Sequence, residues 1–484
     1  MYSPVVGLEI HLQVKTKSKM FCRCKSNYFD DAPNTNVCPV CFGLPGALPV
    51  PNEEAFKKAV ALALSLGCTI NQKTKFDRKN YFYPDLPKGY QISQYDQPIG
   101  VDGFVEIEVE GDARRIRIQR VHIEEDTAKS MHSEGDTTLI DFNKSGVPLI
   151  EIVTQPDFES TEEVILFAKR LRQIVRYLDV SDAEMQKGQM RFELNISVRS
   201  DDLPKGQLPD YKVEVKNIGS ISVLEKVLNF EVERQSKILE TGTKPIQETR
   251  GLKDMTGETL SQRVKEEASD YRYFPEPDIA PIVISDEMIA QIKYSAPELP
   301  ADRKKRYKAL GLENQQADIF IEDMEKGNWF DSIVKNFSED KKRAFALSLA
   351  RWLTGELSGQ LVRRNMIVRD LPITPNDFIT IFSLIESNEI SGTIAKQVFE
   401  EIIDTNGAKT ANEIIQEKNL IQISDSSEVE GIVNTVIAEN GKIIEDMKKN
   451  PNAIKFLVGQ VMKASKGKVN PKVAEEELQK KLSI

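Results

Sequence analysis

The chain opens with an alternation. In MYSPVVGLEIHLQV, Leu8, Ile10, Leu12 and Val14 fall on one side of an extended backbone, and Glu9, His11 and Gln13 fall on the other. A period of two predicts a half-buried strand. The pattern recurs at VEIEVE (105–110), RIRIQRVHI (115–123), RFELNISVR (191–199) and YKVEVKNI (211–218). Elsewhere the apolar spacing lengthens to three and four, which predicts helices over 53–67, 161–178 and 222–239. Gly67 is placed to end the first of them. Strand runs with helices between and beside them predict an α+β domain with a mostly antiparallel sheet over residues 1–293.

SAPELPADRKKR (295–306) interrupts this pattern with two prolines and a charge run, and predicts a linker. Beyond it the alternation stops. KKRAFALSLARWLTGELSGQL (341–361) has helical spacing, and RDLPITPNDF (369–378) punctuates with prolines before more helix. A final helical segment opens near residue 409. In NPNAIKFLVGQVMKAS (450–465), Ile454, Leu457, Val458, Val461 and Met462 form the stripe of a core-facing helix. Pro451 near its start and Gly467 just past its end suit the two termini. The expected organisation is therefore an α+β domain (1–293), an all-helical domain (294–408) and a helical tail domain (409–484). There is no internal repeat.

Composition narrows the class. The 484 residues are 40% hydrophobic and 29% charged, as in ordinary soluble proteins, and no apolar run is long enough to span a membrane. The strand pattern begins almost at the first residue and leaves no room for a signal or transit peptide, so a bacterial-type cytoplasm is the expected compartment. A net charge of −10 argues against generic nucleic-acid binding by the whole molecule. From Lys448 onward, however, nine lysines face three acids, a local excess of +6. A solvated lysine-rich helix surface is the simpler reading of this tail. A local phosphate-backbone contact surface is the sharper one.

Four of the five cysteines fall in FCRCKSNYFDDAPNTNVCPVCFG, as two close pairs, Cys22 with Cys24 and Cys38 with Cys41. This spacing suits a closed tetrahedral thiolate site for Zn²⁺ with a structural role. Disulfides are the competing reading, and no export signal supports them. Cys68, just past a helix end, reads as a small buried residue.

The polar strand faces carry the candidate chemistry. Arg191, Glu193, Asn195, Ser197 and Arg199 share one face of their strand, and Glu214 lies between Lys212 and Lys216 on another. His122 precedes three consecutive acids, Glu124, Glu125 and Asp126. Taken alone, each is a solvated strand face or loop. Together, Glu9, His11, Glu193, Asn195 and Glu214 are expected to line a cradle for a cation. Its oxygen ligands suit Mg²⁺, while His11 also suits Mn²⁺ or Zn²⁺. DRKNYFYPDLPKGYQISQYDQPIG (77–100) sets Arg78, Lys79 and Lys88 among Tyr81, Tyr83, Tyr90 and Tyr95. Such a loop stacks on bases and pairs with phosphates, or packs on itself; the residues leave both open. There is no glycine-rich phosphate loop and no nucleophile elbow, so a bound nucleotide must be held by side chains and metal.

Several longer segments carry a resemblance. GLEIHLQV, NTNVCPVCFGLPGALPVPN, RKNYFYPDLPKGYQISQ, VHIEEDTAK, DFNKSGVPLIEIVTQPD, VEVKNIGS, KEEASDYRYFPEPDIAP and the tail FLVGQVMKASKGKVNP resemble, in matching order, the B subunit of the glutamyl/aspartyl-tRNA amidotransferase. The resemblance implies a heterotrimer with a glutaminase-type A subunit, which releases ammonia, and a small C subunit. It implies a chain that binds misacylated Glu-tRNA(Gln) or Asp-tRNA(Asn), phosphorylates the side-chain carboxylate with ATP and Mg²⁺, and passes the acyl phosphate to ammonia. It further implies a cradle-shaped α+β domain followed by a helical domain and a helical tail that touches tRNA.

Carried onto this chain, the resemblance makes Glu9, His11, Glu124, Glu125, Glu193 and Glu214 the catalytic candidates. Glu9, His11, Glu125 (or Glu124) and Glu214 are the Mg²⁺ ligands among them. Lys79, Lys88, Tyr81, Tyr83 and Ser145 become candidates for ATP and phosphate contact. Asp270 and Arg272 fall near the site, and Lys463, Lys466 and Lys468 are expected to meet tRNA. Three departures stand out: Glu193 occupies a position where relatives carry the shorter Asp, Gly219 replaces an amide side chain, and ETRGLKD differs from the usual continuation. Glu193 and Gly219 keep a rival open, a tRNA-binding scaffold without its own chemistry. Glu9, His11 and the acidic run at 124–126 speak against that rival.

Overall fold

The computed structural model describes residues 2–132, 137–200, 204, 206–253, 255–264, 270–421, 426–441, 443, 453–465 and 468–482. They divide into two compact units, Met1–Pro300 and Ala301–Ile484.

The first unit is built on a nine-stranded sheet. In spatial order its strands are Thr259–Val264, Glu248–Leu252, Val213–Ile218, Met190–Ser200, Tyr2–Gln13, Pro148–Thr154, Asp112–Glu125, Gly100–Val109 and Thr69–Ile70. Every pairing is antiparallel except that between Val213–Ile218 and Glu248–Leu252. The strand that opens the chain is thus the middle of the sheet, and both its faces matter.

Leu8, Ile10 and Leu12 are fully buried on one face. They share a core with Phe56, Ala59 and Val60 of helix Glu53–Ser65, Val164, Phe167 and Leu171 of helix Thr161–Tyr177, and Val223, Leu224 and Val227 of helix Ile221–Glu240. Each helix starts on a side-chain cap expected of Ser and Asn: Asn52 accepts from the Ala55 amide, Ser160 from Glu163 and Ser220 from Val223. Gly67 follows the first helix with a φ of +67°, a conformation in which a side chain would be strained. The α+β expectation and its antiparallel sheet are borne out, and the strands and helices lie where the alternation places them.

The segment read as a linker is mostly helix. Helix Asp286–Ser295 ends on its first residue and helix Pro300–Ala309 begins inside it. A proline in the first turn gives up no hydrogen bond, and the charge run becomes a solvated helix face.

The second unit is helical throughout its described residues. Trp352, Phe378, Phe382 and Phe399 pack ring against ring in its centre. The run with helical spacing over 341–361 is helical and forms two helices, Glu339–Thr354 and Glu356–Arg364, broken at Gly355. Helices Ser426–Glu439, Ala453–Ala464 and Pro471–Leu482 close on a core of their own. There Leu457 and Val461 are fully buried, with Ile454 and Val458 packed against that core. No helix among the described residues is long and apolar enough to cross a membrane.

Candidate functional site

The sheet face opposite the helices is polar, and strand register decides what meets there. Glu9 stands beside Glu193 on one neighbour, and His11 stands beside Arg191 on that neighbour and Glu151 on the other. Glu151 in turn faces His122, and Asn195 faces Glu214. Two groups result. Glu9, Glu193 and Glu214 can bring ligand atoms within 4.8 Å of one another, and so can His11, Glu124 and Glu151. A Mg²⁺ ion holds oxygens at about 2.1 Å, so either group needs only modest closure to share one.

Contacts within the first group are specific. Asn195 Nδ2 donates to Glu9 Oε1 (3.0 Å), and Lys216 Nζ lies 3.0 Å from Glu193 and 3.4 Å from Glu214. Thr249 Oγ1 donates to the other oxygen of Glu214 (2.8 Å). The longer Glu193 side chain therefore reaches its neighbours. Burial, then the charges of Glu151 and Glu193, raise the Glu9 pKa, an acid whose ionisation calls for a cation. A Cβ at Gly219 would meet only the Met185 carbonyl, at 4.0 Å, so space does not require the glycine.

In the second group His11 Nε2 lies 3.4 Å from Glu151, and His11 Nδ1 lies 4.0 Å from Glu193, so His11 joins the two groups. His122 Nε2 is 3.6 Å from Glu151 and 3.8 Å from Glu124, and Ser93 Oγ donates to Glu124 (3.0 Å). Burial opposes the charge on Glu151 and Glu124. Histidine contacts and Lys79 outweigh it and hold both carboxyls below their ordinary range. Burial also opposes protonation of His11, but Glu151 and Glu193 raise its pKa.

A cap of aromatic residues stands over the second group. Strands Asp77–Asn80, Tyr90–Ser93 and Phe274–Pro275 form a small sheet that carries Lys79. Lys79 Nζ lies 5.2 Å from the Tyr271 ring centre and 6.0 Å from that of Tyr81. Burial works against its ammonium, yet Glu124 and Glu151 raise its pKa. Tyr83 is exposed at the outer end of the cap, and Tyr81 lies between Tyr83 and Tyr271. Arg272 donates its amide to Asp270 (2.9 Å) in a left-handed turn between Tyr271 and Tyr273. Several buried atoms on the polar face form no hydrogen bond among the described residues: His11 Nδ1, His122 Nδ1, Arg120 Nε, Arg191 Nε and Asn195 Oδ1. Buried polar atoms left in this way call for a partner such as water, an ion or a ligand.

Glu125 is used differently. It pairs with Lys88 and accepts from the Ile92 amide (3.0 Å), so it belongs to neither group. Asp126 accepts from Lys144 (2.8 Å) and Gln13 (2.9 Å) and lies 3.5 Å from Arg191. Ser145 is buried, and its hydroxyl donates to the Cys41 carbonyl (3.0 Å). Lys463 is exposed and Lys468 half-buried; Lys466 lies outside the described residues.

The four cysteines Cys22, Cys24, Cys38 and Cys41 bring their sulfurs within 4.8 Å of one another, and none forms a disulfide. Cys38 and Cys41 Sγ are 3.8 Å apart, the edge of a tetrahedron with Zn–S bonds of about 2.3 Å. The Cys38 amide points at the Cys41 sulfur (3.1 Å), and hydrogen bonding from Cys22 draws the Cys41 thiol toward its thiolate. These residues fit a structural Zn²⁺.

The GatB/GatE catalytic domain model matches residues 4–290, and a GatB domain model matches residues 328–482. The chain belongs to the GatB family. The B subunit of an aspartyl/glutamyl-tRNA(Asn/Gln) amidotransferase from Persephonella marina is 44% identical over 484 residues, covering 99% of each chain. Proteins of the same name from Caldanaerobacter subterraneus (44%, 100% of this chain and 99% of the relative) and Thermotoga petrophila (45%, 99% of each) are similar over their full lengths. The resemblance read from the motifs is therefore family membership, and the chain is one component of an amidotransferase.

Within this GatB-family chain, sequence reasoning passed over Glu151. Its signal is present: PLIEIVT is an apolar strand with one carboxylate at its middle. In a central strand such a carboxylate is buried and must be paired. His122 and Arg120 were visible as strand residues but not as neighbours of that acid. Lys19, which packs beside the cysteine loop, carried no signal at all.

Proposed function

We propose that this chain is the carboxylate-activating and tRNA-binding component of an aminoacyl-tRNA amidotransferase. It acts on misacylated Glu-tRNA(Gln), Asp-tRNA(Asn) or both, in the cytoplasm, with a glutaminase A subunit and a small C subunit. The observation that carries the reading is the convergence of five carboxylates and His11 into two adjacent cation-sized groups on one buried polar face. A side-chain carboxylate is a poor acyl donor because hydroxide leaves badly, whereas its acyl phosphate is a good one. ATP would supply the electrophilic phosphorus, and bound Mg²⁺ would offset the repulsion between its triphosphate and the substrate carboxylate.

The chain's own residues prepare that encounter. Glu9, Glu193 and Glu214 form one cation seat, steadied by Asn195, Lys216 and Thr249. His11, Glu124 and Glu151 form the other. Lys79, charged beside Glu124 and Glu151, is placed to take up negative charge that develops as the phosphoryl group moves. Lys88, which pairs with Glu125, and the tyrosines of the cap, Tyr81 and Tyr83, flank the phosphates, with Ser145 in the turn beyond. Cys22, Cys24, Cys38 and Cys41 hold a Zn²⁺ that pins the loop after the first strand. The helical half carries two domains, 294–408 and 409–484, and the lysines of the second meet the tRNA backbone.

The test is ADP formation by the purified complex with Mg²⁺-ATP and Glu-tRNA(Gln) or Asp-tRNA(Asn). Aminoacyl-tRNA-dependent ADP release is expected, with Glu9→Ala and Glu214→Ala each lowering it at least tenfold. Unchanged rates in both variants would remove the cation seats from the mechanism. Calorimetry that finds tRNA binding without any ATP binding would turn the chain into a scaffold.

A further inference from the structure

Lys19 is one of the largest fully buried side chains in the protein, with 0% of its surface exposed. Its Nζ donates to two backbone carbonyls, Asn36 at 3.0 Å and Phe142 at 3.5 Å. Among the described residues it forms no ion pair with a carboxylate, whereas the neighbouring Lys25 pairs with Asp31 and Lys88 with Glu125. A buried ammonium satisfied only by neutral carbonyls is a costly arrangement unless some other negative charge lies close by.

The cysteine loop is that neighbour. The Lys19 amide donates to the Cys24 carbonyl (2.9 Å), and Asn36, which takes the ammonium, lies two residues before Cys38. A Cβ built on Gly146 would sit 3.5 Å from Cys41 Cβ and 3.6 Å from Lys19 Cδ, so the lysine stem and Cys41 flank the same glycine. Four thiolates around one Zn²⁺ carry a net charge of about −2 inside the fold.

We propose that Lys19 is the buried counter-charge of the four-cysteine site. The metal-loaded loop then makes the burial of Lys19 favourable, and Lys19 makes retention of the metal favourable. Through Phe142 the same ammonium holds the turn at 141–146, which delivers Lys144 to Asp126 and Ser145 to the Cys41 carbonyl. The seating of that turn is therefore conditional on the metal.

The experiment uses the full-length chain, wild type and three variants: Lys19→Met, which keeps the stem and removes the charge; Lys19→Gln, which keeps a donor without charge; and Lys19→Arg, which keeps the charge. Zinc per chain is measured by elemental mass spectrometry, and zinc release by transfer to a chromogenic chelator. Met and Gln are expected to release zinc about 10–100-fold faster than wild type, the usual effect of losing an outer partner of a metal ligand, and Arg to stay near wild type. Melting temperatures supply the second reading. With zinc, Lys19→Met melts below wild type; after the metal is stripped the order reverses, because stripped wild type keeps a buried ammonium without its counter-charge.

A residue that only packs or hydrogen-bonds would lower melting in both states, and that result overturns the proposal. So do equal release rates, or Arg releasing zinc as fast as Met. If Met does not accumulate as folded protein, Gln and Arg decide the matter by the same signs. The proposal rests on the zinc reading of the cysteines, which the zinc content of the wild-type chain tests separately. A wild-type chain that takes up no zinc overturns both, whereas a zinc-loaded wild type with insensitive variants overturns only the role of Lys19.

Discussion

Replacing Asp126 by Asn probes how the polar face is held together. Asp126 is buried, with its carboxylate 2.8 Å from Lys144, 3.5 Å from Arg191 and 2.9 Å from the Gln13 amide nitrogen. Burial disfavours its charge, but Lys144 and Arg191 outweigh burial and hold its pKa well below the ordinary carboxylate range. Asn keeps the shape and removes the charge, leaving two cations near the sheet without their anion. Breaking one side of a buried pair typically costs about 3–5 kcal/mol. For a unit of about 300 residues, an unfolding entropy near 2.1 cal/mol/K per residue converts this to a fall of about 5–8 °C in Tm.

The unfolding should be followed by far-UV circular dichroism at pH 7, because both tryptophans, Trp329 and Trp352, lie in the helical unit and do not report on the sheet. The sign with pH is defined. A depressed native pKa gives stability that is present above the unfolded pKa near 4 and is lost as pH falls below it, so the gap between wild type and Asp126→Asn narrows in acid. Adding Lys144→Met to Asp126→Asn should recover part of the loss. A drop below about 2 °C at pH 7, with no recovery in the double variant, would refute this account of the cluster.

Two further outcomes follow from the site and the tail. Glu151→Gln keeps volume but removes the acid that His11 and His122 share; aminoacyl-tRNA-dependent ADP formation should fall by about 10²-fold or more, and a retained rate would detach the His11 group from the chemistry. Replacing Lys463, Lys466 and Lys468 together by Gln should weaken tRNA binding and reduce the slope of log affinity against log salt by about 2–3. An unchanged slope would return that segment to an ordinary solvated surface.

Much of the site was legible one strand at a time. Glu9, His11, Glu193 and Glu214 are readable because each interrupts an apolar alternation on the outward face, and the four cysteines because two close pairs are rare without a metal or disulfide. Glu125 and Glu124 looked equivalent in sequence. Only the approach of Lys88 and the Ile92 amide separates Glu125 from the group that Glu124 joins. Glu151 was obscured because a single acid in an apolar run has no periodic signature. The helix break at Gly355 and the helix that begins at Pro300 were hidden for a similar reason, since proline and glycine mark both the ends and the beginnings of helices.

Alternation is a local property, so the chain alone decided which side of each strand is polar and which is apolar. The order of its motifs also decided the family. Alternation carries no information on which strand lies beside which. The middle place of Tyr2–Gln13, between the strands Met190–Ser200 and Pro148–Thr154 from far along the chain, is a product of non-local pairing. That pairing sets Glu9 against Glu193 and His11 against Glu151 and turns five separate acids into two groups. Those juxtapositions, and the charge balance they impose, exist only once the sheet has closed.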